Sequence, residues 1–260
     1  MSSAQKQYTD EMKKKFGYYA TWHPGVPIKL GDVGTFTGNV FTRLSNLEDL
    51  GIPVEIREDT TKTSLEHNSQ GSVSVTTKLS GTIAPQGSVL TDLEAGIIIE
   101  FSKENSTLFK ANNTTSPSIR DTIKLGNLVI KMYTEGKWNK NWVVVTELVE
   151  AESTTVIISN TNNGKIELKA NANVGAPSLD IADAAFDFAP QFTRGLETTI
   201  ISNEGLTPLF KVMGMKARIF LPPVFSVRNV KPFDLITPAN ARTKYKNDIY
   251  FGYISDDERE

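Results

Sequence analysis

His23 and His67 are the two imidazoles in the chain, and they lie far apart in sequence. A histidine metal site needs further ligands at short spacing, and neither residue has them. Each therefore reads as an ordinary structural histidine. Asp183 and Asp187 form the most tempting carboxylate pair. On a strand, residues four apart stand about 13 Å from each other, wider than the pairs that cleave glycosidic bonds. The glycines of GDVGTFTGN, residues 31–39, match neither a dinucleotide fingerprint nor a P-loop and read as turn residues. Asn105, Asn112 and Asn113 head N-x-Ser/Thr triplets, which read as chance matches without a secretory leader. There is no cysteine, so thiol catalysis, disulfides, cysteine-ligated zinc and cysteine lipidation are excluded together. These residues predict no catalytic centre, no metal and no cofactor; the chain does not read as an enzyme.

Composition narrows the partners. At 260 residues with a net charge of −2, the chain can bury a large core, and it carries no global basic field to attract nucleic acid. Membrane attraction has to come from local patches. The first residues, MSSAQKQYTDEMKKKFGYY, lack the apolar core of a secretory signal. No run approaches the roughly 20 apolar residues of a membrane-crossing helix. The expected location is the cytoplasm.

Alternation, in place of chemistry, dominates the pattern. SVSVTTKLSGTIA puts Val73, Val75, Leu79 and Ile83 on one face. After a turn at Pro85-Gln86-Gly87, SVLTDLEAGIIIEF returns with Val89, Leu93, Ile97 and Ile99 on one face. A second block starts at Asn163-Gly164 and rises through KIELKANANVGA, with Ile166, Leu168, Ala170, Ala172 and Val174 alternating. It descends through Phe186 and Phe188. That descent also fits a helix carrying Asp180, Asp183 and Asp187 on one side; strand is favoured because Pro177 and Pro190 bracket a segment short for a helix. The four arms, at about a dozen residues each, exceed the usual five or six of a globular strand. They meet the 9–11 residues that a membrane-crossing strand needs, with one face for lipid and the other for water.

Other elements frame these hairpins. Tyr8, Met12, Phe16 and Tyr19 make an aromatic stripe on an N-terminal helix whose Lys13, Lys14 and Lys15 are placed to meet anionic headgroups. SPSIRDTIKLG predicts a helix capped by Ser116, with Ile119 and Ile123 buried and Gly126 at its end. LVIKMY, WVVVTELVE and TTVIIS read as strands from their β-branched residues. The fold class expected is α+β: a twisted, mostly antiparallel central sheet with two long amphipathic β-hairpins and a few short helices. Residues 1–235 form one domain. Residues 236–260 form a tail in which Ile249, Phe251 and Ile254 share a face able to cover the body near Lys211, Lys216 and Arg218. Arg242, Lys244 and Lys246 offer sites to a trypsin-like protease.

This order of elements resembles the bacterial gasdermins. The likeness rests on VFTRLSNLEDLGI, AGIIIEFSKENSTLFKA, PSIRDTIKLGNLVIK and WVVVTELVEAESTTVIIS and covers roughly residues 1–220. The resemblance implies a cell-death effector in antiphage defence: a monomer, closed by a short C-terminal segment until a protease removes it. It then moves to the inner membrane and forms a homo-oligomeric pore in anionic lipid. The N-terminal cysteine often acylated in that family is missing here, and the tail carries no recognisable protease signature. The alternative expectation is a β-rich structural or interaction protein that self-assembles in water without lipid.

Overall fold

The computed structural model describes residues 3–37, 40–171, 180–181, 188–202, 204–217 and 249–254. Along the chain run α1 (Ser3–Phe16), β1 (Tyr19–Ala20), β2 (Asp32–Thr37), β3 (Val40–Asn46), β4 (Ile56–Arg57), β5 (Thr63–Asn68), β6 (Val73–Lys78), β7 (Gly96–Phe101) and β8 (Thr107–Thr114). After them come β9 (Ser118–Ile119), α2 (Thr122–Thr134), β10 (Val143–Ala151), β11 (Ser153–Ser159), β12 (Gly164–Ala170), β13 (Phe188–Arg194), β14 (Leu196–Ser202), β15 (Leu206–Ala217) and β16 (Ile249–Tyr253). Every strand pairing is antiparallel.

The β-branched stretches WVVVTELVE and TTVIIS do form strands, β10 and β11, because their side chains find apolar neighbours on both faces. Val144 packs toward α2, while Val143, Val145 and Leu148 join Tyr19, Ile28, Phe210 and Val212 on the other side. Around β10 lies the central sheet, in the order β1-β15-β10-β2-β3, with β16 beside β15 and β4 and β9 at the side.

LVIKMY departs from the strand expectation. It forms the second half of α2, since Leu125 and Val129 are buried, with Leu128, Met132 and Tyr133 partly so, at helical spacing against Val33, Leu47, Ile52 and Trp138. The N-cap is Asp121, whose Oδ1 accepts the Lys124 amide at 2.8 Å, rather than Ser116. Ile119 is buried on β9, yet Ile123 is 78% exposed, and Gly126 sits inside the helix rather than at its end. The helix is capped five residues later than expected, and its buried stripe runs through Leu125 and Val129 instead of Ile119 and Ile123.

The remaining strands form two four-stranded sheets instead of joining one central sheet. Their orders are β14-β11-β8-β5 and β13-β12-β7-β6. The same four chain segments, 63–78, 96–114, 153–170 and 188–202, pass through both in the same order. They make one antiparallel ribbon creased across its middle. The proximal half carries α1 on one face, where Ala4, Tyr8 and Met12 pack on Phe109, Ala111, Val156 and Ile158. Its other face supplies Leu108 and Ile157 to a core shared with Ile97, Ile99, Ile166 and Leu168 of the distal half.

Candidate functional site

The distal half holds most of the residues expected to insert into membrane. Ile97, Ile99, Ile166, Leu168, Ala170 and Phe188 are buried together, with Val73 and Leu79 packed against them. Val75, opposite Ile99 on the edge strand, is 41% exposed. Ala172, Val174 and Phe186 lie outside the described residues, as do Asp183 and Asp187. Of the first expected hairpin the structure shows β6 paired with β7, and of the second β12 paired with β13. In the first, Val73 pairs with Phe101 and pairing stops at Lys78 and Gly96. In the second, Ala170 pairs with Phe188 and Lys165 with Arg194, while the expected descent through Ala182, Ala184 and Phe186 lies outside the described residues. The described arms are six or seven residues long, ordinary for a globular sheet.

The first hairpin stops because charged groups bend the chain back. Lys78 is 2% exposed, and its Nζ donates to the carbonyls of Glu94 at 2.6 Å, Asp92 at 3.2 Å and Leu79 at 3.4 Å. That cluster ties together the two ends of segment 79–95. The segment then folds over the polar face of β12. There Glu167 is fully buried, ion-paired with Lys165 at 2.8 Å, and its Oε2 accepts the Ser88 hydroxyl at 2.6 Å and the Val89 amide at 2.9 Å. Burial pushes the Glu167 carboxyl up; Lys165, Ser88 and the Val89 amide outweigh it and hold its pKa below the ordinary value. Lys169 pairs with Glu94 at 2.8 Å and, with the Thr91 amide, lowers the Glu94 pKa to about 2. Leu90 is buried over Gly96, where any Cβ would meet it. Ile83, Leu93 and Val89 stand in solvent at 88%, 81% and 51% exposure. The strand face they were expected to complete is not formed.

Serines and left-handed residues build the crease. Gly71, Asn105 and Gly195 take φ of 68°, 61° and 62°, conformations that turn a strand sharply. A Cβ on Gly195 would collide with the Thr161 hydroxyl. Ser159 Oγ donates to Lys103 O at 2.8 Å and accepts the Ser106 amide at 3.1 Å; Ser106 donates to Ser72 Oγ at 2.8 Å. Helix α1 grips the same line. Glu11 Oε2 accepts the Ser69 hydroxyl at 2.7 Å and lies 2.8 Å from His67 Nε2. His23 stacks on Trp22.

The lysines expected to meet lipid divide. Lys14 and Lys15 are exposed, whereas Lys13 is half-buried, its Nζ 3.6 Å from the centre of the Tyr19 ring. Phe16 is half-buried on Phe109. Tyr19 is 3% exposed on β1, beyond the helix, so it cannot touch a surface in this conformation; Gly17, at φ 76°, ends the helix before it.

Residues 249–254 of the tail lie along β15, the strand that carries Lys211 and Lys216. β16 pairs with β15, from Met213 with Tyr253 to Ala217 with Ile249. Phe251 packs on Gly126 of α2, 3.1 Å from where a Cβ there would stand. Ile254 does not share that face; it joins Tyr19 and Val212 on the opposite side, since 251 and 254 differ by an odd number on a period-two strand. Tyr19 Oη donates to Ile254 O at 3.0 Å. Arg218, Arg242, Lys244 and Lys246 lie outside the described residues. A cleft of about 260 Å³ between β1 and β16 is lined by Lys13, Tyr19, Lys211 and Tyr253.

Among the described residues no three His, Asp or Glu side chains converge as a metal site would require. Among the described residues no helix is long and apolar enough to cross a membrane. No protein-family model and no curated protein matches the chain. The roles of Glu167, Lys78 and Glu11 are not legible in the sequence pattern. The one available signal was Lys165-x-Glu167-x-Lys169, which places a carboxylate between two ammoniums on a single strand face.

Proposed function

We propose that this protein forms pores in anionic membranes as a homo-oligomer, each copy contributing its creased four-stranded ribbon, and that the docked β16 keeps it closed. The observation that carries the reading is the passage of segments 63–78, 96–114, 153–170 and 188–202 through two sheets in one order. Opened at the crease, the segments would run about 50–60 Å. A strand can enter lipid only if both backbone edges are paired. The ribbon's edges, β5–β6 and β13–β14, have no further strand beyond them among the described residues. Pairing one copy's β5–β6 with the next copy's β13–β14 joins unlike edges, a head-to-tail contact of the kind that forms a ring when the rotation between copies closes. The role in cell death during antiphage defence, the activating protease and the move from cytoplasm to inner membrane follow from the gasdermin resemblance and belong to the same proposal.

A second reading is favoured by the burial of Ile97, Ile99, Ile166 and Leu168: the hairpins are already satisfied in water, and the open edges serve assembly without lipid. Dye release separates the two. The full chain, the chain ending before Ile249 and the full-length Gly126→Leu variant are compared on vesicles containing anionic lipid. Gly126→Leu drives a side chain into the place of Phe251 while favouring the helix. Leakage from the latter two and little from the full chain supports a closed pore-former. Soluble oligomers with no leakage from any of the three support lipid-free assembly.

A further inference from the structure

We propose that residues 79–95 are a strap that holds the first hairpin short, and that Glu167 is its catch. Local sequence and fold disagree in this segment, and such disagreement marks places where a protein has a second use for the residues. The observed register pairs Thr77 with Ile97 and Lys78 with Gly96. Continued, it pairs Leu79 with Ala95, Gly81 with Leu93 and Ile83 with Thr91, and centres the turn on Gly87. In that register Ile83, Val89 and Leu93 fall on the same face as Ile97 and Ile99. The strap instead sets the Gly81 amide on Asp92 O, outside the register, and leaves those three side chains in solvent.

Polar contacts supply most of the hold. Glu167 binds the strap's midpoint through Ser88 and Val89, Lys78 gathers its two ends, and Lys169 pairs with Glu94. Leu90 is the strap's large buried apolar side chain. Water can replace each polar partner, so release costs little apolar burial, while the freed segment gains a paired strand and an apolar face. Glu167 is thus a positioning residue: it acts on the hairpin through the strap. Its consequence for membrane activity rests on the pore reading.

The test uses Glu167→Gln, which keeps the shape and removes the charge, and Ser88→Ala, which removes the half-buried hydroxyl that donates to Glu167 and accepts the Leu90 amide. Hydrogen exchange is measured on full-length protein without lipid. Leakage of vesicles of phosphatidylglycerol and phosphatidylcholine is measured in the full-length Gly126→Leu background, with and without each change. The expected result is exchange at 79–95 at least about tenfold faster in Glu167→Gln, less so in Ser88→Ala, with β10 and α2 unchanged, and a several-fold faster leakage. Unchanged exchange in both variants overturns the catch. Faster exchange with equal leakage overturns the gating role alone. Faster exchange with no leakage from any protein overturns the pore reading, and the gating role with it.

Discussion

The proximal and distal halves of the creased ribbon are made of the same four segments, yet they are held differently. The proximal half is covered by α1 through Tyr8 and Met12, both fully buried, and shares its other face with the common core. The distal half shares that core, while its second face is covered by segment 79–95, fixed chiefly by Glu167, Lys78 and Glu94. Apolar burial stabilises roughly in proportion to area and cannot be exchanged for water without loss. Hydrogen bonds and ion pairs can, because water offers nearly equivalent partners. The difference separates a half built to stay from a half able to change partners.

Met12→Ala has the largest expected effect. It removes a fully buried side chain between α1 and the proximal sheet, at a cost of about 2–5 kcal/mol, and chemical denaturation should show the whole protein losing that stability. Leu90→Ala, made at a residue 2% exposed, should instead speed exchange within 79–95 and leave the global midpoint nearly unchanged. Equal global losses from the two would erase the distinction between the halves.

Glu11→Gln tests the tie between α1 and the crease. It weakens contacts to Ser69 and His67, and a loss of about 1–3 kcal/mol is expected, with exchange rising first at residues 67–72. If exchange rose along α1 and not at the crease, Glu11 would be anchoring the helix alone. Lys14→Glu with Lys15→Glu should lower affinity for anionic vesicles by about 1 kcal/mol per residue in flotation assays. Both side chains are exposed, so thermal stability should be nearly unchanged.

Acid gives the smallest effect. The Glu94 carboxyl titrates at about 2 when folded, against an ordinary 4.5, mainly because of its hydrogen bond from Lys169. A folded pKa below the unfolded one stabilises at pH above about 4.5, and that contribution fades as pH falls toward 2. Exchange in 79–95, corrected for its intrinsic pH dependence, should rise across that window. Lys169→Gln should flatten the rise; an unaltered profile would remove the Glu94–Lys169 pair from the strap's hold.

Much of the fold was legible where local preference and burial agreed. Val143–Ala151 and Ser153–Ser159 are β-branched and buried, and they are strands. Tyr8 and Met12 lie four apart and face one core. Strands β6 and β12 begin where the alternation does, at Val73 and Gly164. The expectation failed where two periods fit the same letters. Residues 128–133 alternate poorly yet are rich in strand-forming side chains, and Leu47 and Ile52, distant in sequence, together with Trp138 just beyond the helix, make the helical face the better buried one.

By itself the sequence determined which groups the protein can use: no thiol, two scattered imidazoles, long alternating segments and a cluster of lysines near the start. Those follow from residue type and spacing, which are local. Tertiary structure decided whether 79–95 completes a strand or folds back, and that Phe251 rests on Gly126 while Ile254 turns to the other side. The catch, Glu167, comes from a strand far along the chain, and no local pattern can reveal that its buried charge outweighs the preference of residues 79–95 for a hairpin.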